Sequence, residues 1–234
     1  MNAELTGRAM LPRDPFRDWR KEVAIATIGA DEAMRALSID ERTPLEFTGV
    51  PLRFEGGTYS DVFAKKNNKT LSQTLEHHRY AGLAKFILPK YASSLASPLG
   101  TFLIDVKRSG DAVYRKFLNP YGDLVYSSFS LADRAQLKIK GVYAYYVGSE
   151  LKYIGRCNDS MNKRINYGYG TIHPKNCFID GQATNCRLNA LITQAQETGQ
   201  IGLWICQIAA DESINVMEAL LCRRYTPSWN IRQL

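Results

Sequence analysis

The tightest constraint on this 234-residue chain is a pair of apolar runs with almost nothing between them. Gly141-Val142-Tyr143-Ala144-Tyr145-Tyr146-Val147 is followed by Gly148-Ser149-Glu150, and then by Leu151-Lys152-Tyr153-Ile154-Gly155-Arg156. β-Branched and aromatic residues dominate the first run, and Tyr153 and Ile154 centre the second, which favours strands. So short a connection cannot carry the chain back to a parallel start, so the strands form an antiparallel hairpin. Beyond it, Asn158, Asp159 and Ser160 offer N-cap side chains to a helix carrying Met161, Arg164 and Ile165. Residues 166–184 are polar and glycine-containing and read as a loop. Cys186 to Glu197 reads as a helix with Leu188, Leu191 and Ile192 on one face, and Ile201 to Ile208 as a third strand. Ser213 or Asn215 caps a last helix containing Met217, Leu220, Leu221 and Cys222, which Pro227 stops. The order β-β-α-α-β-α implies an α+β unit over residues 137–234, with a small antiparallel three-stranded sheet flanked by helices.

Residues 1–136 give a weaker, mixed α/β pattern. Asp31 to Leu37 reads as a short helix, Pro44 to Arg53 as turn and strand, and Gly56-Gly57 as a turn. Thr70 caps a helix that runs from about Leu71 until Pro89 ends it. Thr101-Phe102-Leu103-Ile104-Asp105-Val106 reads as a strand, and Asn119-Pro120 with Gly122 as a turn.

Composition narrows the setting. Hydrophobic residues make up 45% of the chain, enough for a core, and the formal net charge of +7 is compatible with a polyanionic partner. Neither apolar run nor any other approaches the ~20 residues that span a bilayer. The first residues are charged and carry no signal-peptide pattern, so a cytoplasmic protein without membrane contact is the expectation. Cys157, Cys177, Cys186, Cys206 and Cys222 are odd in number and widely spaced, which fits buried free thiols rather than a disulfide framework or a zinc site.

Gly141-Val142-Tyr143 followed by Tyr153-Ile154-Gly155 resembles the defining pair of the GIY-YIG nuclease family. Arg164 on the first helix, Glu218 on the helix after the third strand, and Pro227 and Asn230 in the closing run follow in the family's order, so the resemblance spans about residues 138–232. It implies that Tyr143, Tyr153, Arg164 and Glu218 are catalytic. Glu218 would hold Mg²⁺, or Mn²⁺, which polarises a phosphoryl oxygen. Arg164 would meet the scissile phosphate with a permanently charged planar fork. Tyr143 is implied as general base or water-orienting group and Tyr153 as its assistant. A phenol with pKa about 10 is a poor base unless a cation lies close. Many members place a His or Tyr one turn after the arginine; by α-helical spacing Tyr167 fits, and His173 could reach in from the loop. Gly141 and Gly155 are read as permitting close backbone approach, and Asn230 as fixing backbone beside the site.

The same resemblance implies phosphodiester hydrolysis in double-stranded DNA. Arg156 and Lys163 are candidate backbone contacts. His173, Lys175, Asn176, Gln182, Asn185 and Arg187, in and around the polar loop, are candidate DNA contacts, since such side chains suit phosphates and base edges. Residues 1–136 would then serve DNA recognition, dimerisation or both, with Lys65, Lys66, Lys69, Lys107 and Arg108 as further candidates for phosphate. The length is similar to that of type II restriction enzymes of the family, so sequence-specific cleavage is the leading expectation. A repair or mobile-element nicking enzyme is the runner-up, and a catalytically silent DNA-binding module the alternative from another class. With one active site per chain, a double-strand cutter would be a dimer or tetramer.

Overall fold

The computed structural model describes residues 23–26, 34–199, 201–209 and 211–231. In chain order its strands are β1 (Val23–Ala26), β2 (Met34–Ser38), β3 (Pro44–Val50), β4 (Leu52–Tyr59), β5 (Tyr126–Leu131), β6 (Gly141–Val147), β7 (Glu150–Cys157) and β8 (Ile201–Gln207). Its α-helices are α1 (Leu71–Leu75), α2 (Ala84–Tyr91), α3 (Leu99–Arg108), α4 (Ala183–Glu197) and α5 (Asp211–Tyr225), and a π-helix spans Asn162–Tyr169.

The protein is α+β. The three strands expected downstream of residue 137 form as β8-β6-β7, but the sheet is larger than expected. β3 pairs antiparallel with β8, and β2 with β3, giving a five-stranded order β2-β3-β8-β6-β7. A second antiparallel sheet has the order β1-β4-β5.

The central sheet is buried on both faces, and strand alternation sorts its side chains between them. Tyr143, Tyr145, Leu203 and Ile205 face a core shared with Leu52, Phe54, Phe129, Ile165, Leu188 and Ile192. Val142, Ala144, Tyr146, Trp204 and Cys206 face a second core, closed by Ile214 and Leu221 of α5 together with Leu37 and Phe47. A third core gathers Phe63, Leu71, Ile87, Leu103 and Phe117 with Phe178, Cys177 and Cys186. Every one of these cores draws residues from both sides of position 137.

Several elements differ from expectation. The described part of the segment expected as a helix at Asp31–Leu37 is strand β2; residues 31–33 lie outside the described residues. On β2 the Arg35 guanidinium lies 4.1 Å from the Tyr146 ring centre and 4.4 Å from that of Trp204, so cation–π contact holds this edge to the sheet. Gly56 and Gly57 make no turn but sit inside β4, where the pairing register with β5 slips between Glu55 and Tyr59. Thr70 does cap a helix, through a reciprocal capping box with Gln73, yet that helix ends at Leu75, and Pro89 lies inside the separate α2.

Residues 101–106 are helical, not extended. Leu99, Phe102, Leu103 and Val106 recur at i, i+3, i+4 and i+7, and all four are buried along one stripe of α3. The stretch 166–169 belongs to the π-helix rather than to the loop, and α5 begins ahead of Ser213 and Asn215. The Asn119 turn forms, with the Gly122 N–H donating to the Asn119 carbonyl at 3.0 Å. All five cysteines are free thiols, four of them buried. Among the described residues no helix is long and apolar enough to cross a membrane.

Asn189 of α4 is the polar link between layers. It is fully buried, accepts from the Ser127 N–H at 3.1 Å, and donates to the Ser127 carbonyl at 2.8 Å and the Tyr169 carbonyl at 2.6 Å. It thereby ties β5 and the end of the π-helix to α4. Asn189→Ala leaves these backbone groups buried without a partner. A loss of about 3 kcal/mol is expected, read from urea denaturation midpoints at unchanged slope.

Candidate active site

The hairpin positions the first two phenols. On the β6–β7 ladder Tyr143 faces Gly155 and Tyr145 faces Tyr153. A Cβ on Gly155 would lie 2.5 Å from both Cζ and Oη of Tyr143, so glycine leaves the space in which that ring rests. The expected close approach at Gly155 is therefore an approach of side chains. At Gly141 it is backbone: φ is +147°, and a Cβ would collide with the Cys206 carbonyl of β8. The rings of Tyr143 and Tyr153 sit 6.1 Å apart, tilted by 34°.

The π-helix supplies the next pair. The Ser160 Oγ accepts from the Lys163 N–H at 3.3 Å, as expected of a capping residue. The helix closes with an i→i+5 hydrogen bond from the Gly170 N–H to the Ile165 carbonyl. In this winding, the residue one turn beyond Arg164 is Tyr169 rather than Tyr167. Tyr169 is buried, and its hydroxyl shares a 2.7 Å hydrogen bond with that of Tyr143. Tyr167 is 68% exposed and does not line the cleft, and neither does His173, whose Nδ1 accepts from the Lys175 N–H at 3.2 Å. Neither sequence candidate for that position holds it. Five-residue spacing from Arg164 to a tyrosine was the available signal, and it is visible only if a π-turn is allowed.

These residues meet in a cleft of about 1120 Å³. Tyr143, Tyr153, Arg156, Arg164, Tyr169 and Glu218 line it, with Gln182 and Asn185 from the start of α4 and Arg223 and Asn230 from the C-terminal side. Glu218 projects from α5 with its side chain 19% exposed, and its Oε2 accepts from the Arg156 guanidinium of β7 at 2.6 Å. Asn230 clamps Ile154: it accepts from the N–H at 2.9 Å and donates to the carbonyl at 2.7 Å. That fixes β7 between Tyr153 and Gly155.

No protein-family model, curated protein or solved structure matches this chain.

The remaining sequence candidates separate by location. Lys163 pairs with Asp159 at 2.6 Å and borders a hollow of about 230 Å³ that adjoins the cleft across Arg164, Gln182 and Asn185. Lys175 and Asn176 lie outside the cleft, and the Asn176 carbonyl accepts from the Asn119 side chain at 2.6 Å. Arg187 is turned inward, donating to the Trp229 carbonyl and lying over the Tyr121 ring, so it braces the segment that carries Asn230. In the N-terminal region, Lys107 is bound by Asp61 and Asp123, each at 2.6 Å, and acts within the fold; Arg108 is exposed at the end of α3.

Burial pushes the Tyr143 phenol well above its ordinary 10.0. Tyr169 and Tyr153 press the same way, and the Arg164 guanidinium offsets them only in part. Tyr153 is raised by burial and then by Tyr169, and Tyr145 by burial foremost. Burial opposes the charge on Arg164, but the neighbouring Tyr143 and Tyr169 outweigh it, so the guanidinium stays protonated. The site at rest is thus a fixed cation beside neutral phenols. Glu218 is the single carboxylate among the described cleft-lining residues, and no cluster of three or more His, Cys, Asp or Glu occurs among the described residues. One hard oxygen donor facing a cleft fits Mg²⁺, which retains waters and takes phosphate oxygens to complete its shell.

Neutral phenols are favoured in the folded state, so at high pH the unfolded chain releases these protons first. Stability is therefore intact at neutral pH and falls as pH rises above 10.0, the ordinary phenol value. Urea midpoints measured from pH 7 to 11 should decline only in the upper part of that range, and Tyr143→Phe should make the decline shallower.

Proposed function

We propose that this protein is a GIY-YIG-type, metal-dependent endonuclease that hydrolyses phosphodiester bonds of double-stranded DNA at a specific sequence, as a type II restriction enzyme. The observation that carries this reading is the convergence of Arg164, Glu218 and the Tyr143–Tyr169 hydroxyl pair on one cleft. Among the described residues the cleft is lined by Arg156, Arg164 and Arg223 against a single carboxylate, a balance suited to a polyanion.

Arg164 binds the scissile phosphate through its fork and faces the charge that develops on the phosphoryl oxygens. Glu218 would hold Mg²⁺, or Mn²⁺ in its place; when bound, the ion polarises the phosphoryl group and stabilises the leaving oxygen. Tyr143, neutral and joined to Tyr169 through its hydroxyl, is suited to orienting the attacking water rather than to removing its proton unaided. Tyr153 packs against Tyr143 and limits the positions its ring can take. Gln182 and Asn185 form the wall from which polar side chains reach the substrate. Two chains, as a dimer or within a tetramer, would supply the two sites that cutting both strands requires.

Purified protein with Mg²⁺ on plasmid DNA should yield discrete, reproducible fragments on a gel. A smear would overturn sequence specificity, and nicked circles alone would establish a nicking enzyme instead. Glu218→Ala should lower cleavage by about a hundredfold or more while retaining DNA binding; unchanged cleavage sinks the site.

The π-helical register generates a separate test. Tyr169→Phe should slow cleavage by about tenfold or more, and Tyr167→Phe should leave the rate as it is. The reverse pattern would restore the α-helical spacing.

A further inference from the structure

The ion pair between Arg156 and Glu218 has the Arg156 side chain 46% exposed and the Glu218 side chain 19% exposed. It joins the end of β7 to α5 across the cleft wall, so it lies within the site rather than beneath it. With its arginine half-exposed, such a pair is reached by solvent and screened by salt, hence able to exchange partners. Because Glu218 is the single carboxylate among the described cleft-lining residues, any cation entering there competes with Arg156 for it. A divalent ion and a guanidinium on one carboxylate repel each other, whereas a phosphodiester arriving with the ion brings fresh acceptor oxygens for the arginine.

We propose that Arg156 is an exchangeable counter-ion: it holds Glu218 in the free protein and passes to a substrate phosphate when a divalent cation takes the carboxylate. The inference rests on the reading of Glu218 as metal-holding and of the cleft as a phosphodiester site. Its consequence is positive coupling. The cation binds weakly alone because it must displace Arg156, and DNA without the cation finds that arginine engaged. Each ligand therefore strengthens the other by the same factor.

The experiment uses the full chain, with Mn²⁺ as probe and no DNA, by isothermal titration calorimetry. Arg156→Gln should bind Mn²⁺ about tenfold tighter than the unaltered protein, and Arg156→Lys, which keeps the charge, should not. A second readout is the salt dependence of binding to a short DNA duplex. Exchanging EDTA for Ca²⁺ should steepen the slope by about one phosphate contact in the unaltered protein and leave Arg156→Gln unchanged. Matching urea midpoints confirm that the variants fold.

Unchanged or weaker Mn²⁺ binding by Arg156→Gln overturns the inference. If Glu218→Gln meanwhile abolishes Mn²⁺ binding, the metal-holding reading of Glu218 survives that result. If Glu218→Gln leaves Mn²⁺ bound in the Arg156→Gln background, the ion sits elsewhere, and the inference falls together with the reading beneath it.

Discussion

The contact on which the site depends is the one between Gly155 and Tyr143 across the β6–β7 ladder. Hydrogen at that Cα, instead of a methyl group 2.5 Å from the phenol, lets the Tyr143 ring lie over β7 and carry its hydroxyl to Tyr169. The ring is then held from three sides, by Tyr145, Tyr153 and Tyr169, with centroids 6.1–6.3 Å away. Tyr169 is fixed in turn through its carbonyl by Asn189, and β7 by the Asn230 clamp on Ile154. Four separate elements thus converge on a single hydroxyl pair. Rigid support of this kind gives functional groups a defined geometry before any ligand arrives.

Local signals carried the C-terminal half of the fold. β6, β7 and β8 are legible because apolar and aromatic residues fill them between turn residues, and α4 and α5 because their apolar positions recur at helical spacing and Pro227 marks an end. In residues 101–106 the same reasoning fails: the branched and aromatic run hides a 3.6-residue period that emerges only when Leu99 is included. Arg35 and its neighbours look helical in isolation and are extended because they pair with β3 from Met34 to Ser38, with the Arg35 guanidinium lying over Tyr146 and Trp204. The pairing of β3 with β8 has no local signature at all, since it joins residues far apart in sequence.

The candidate site was legible to a similar degree. Tyr143, Tyr153, Arg164, Glu218 and Asn230 line one cleft, and each stood out in the sequence as part of an ordered pattern. Tyr169 was hidden by an assumption about pitch: it stands five residues past Arg164, a spacing that α-helical i+3 and i+4 neighbours pass over and that the wider π-winding accommodates. The arginines divide in a way that counting charges cannot anticipate. Arg187 is spent on a backbone carbonyl, while Arg156, Arg164 and Arg223 face the cleft. A modest overall charge of +7 thus coexists with a locally concentrated positive field.

The five-stranded sheet also sets an order of events for a chain emerging from a ribosome. β3 is made well before its partner β8, and Thr48 cannot meet Ile205 until β8 has followed. Until that moment β3 presents an open edge and Phe47 lacks most of the core it will join. The central sheet therefore closes only once β8 has been made. This closure is non-local and slow, and a truncated chain lacking β8 would carry an unpaired strand prone to pairing with other copies.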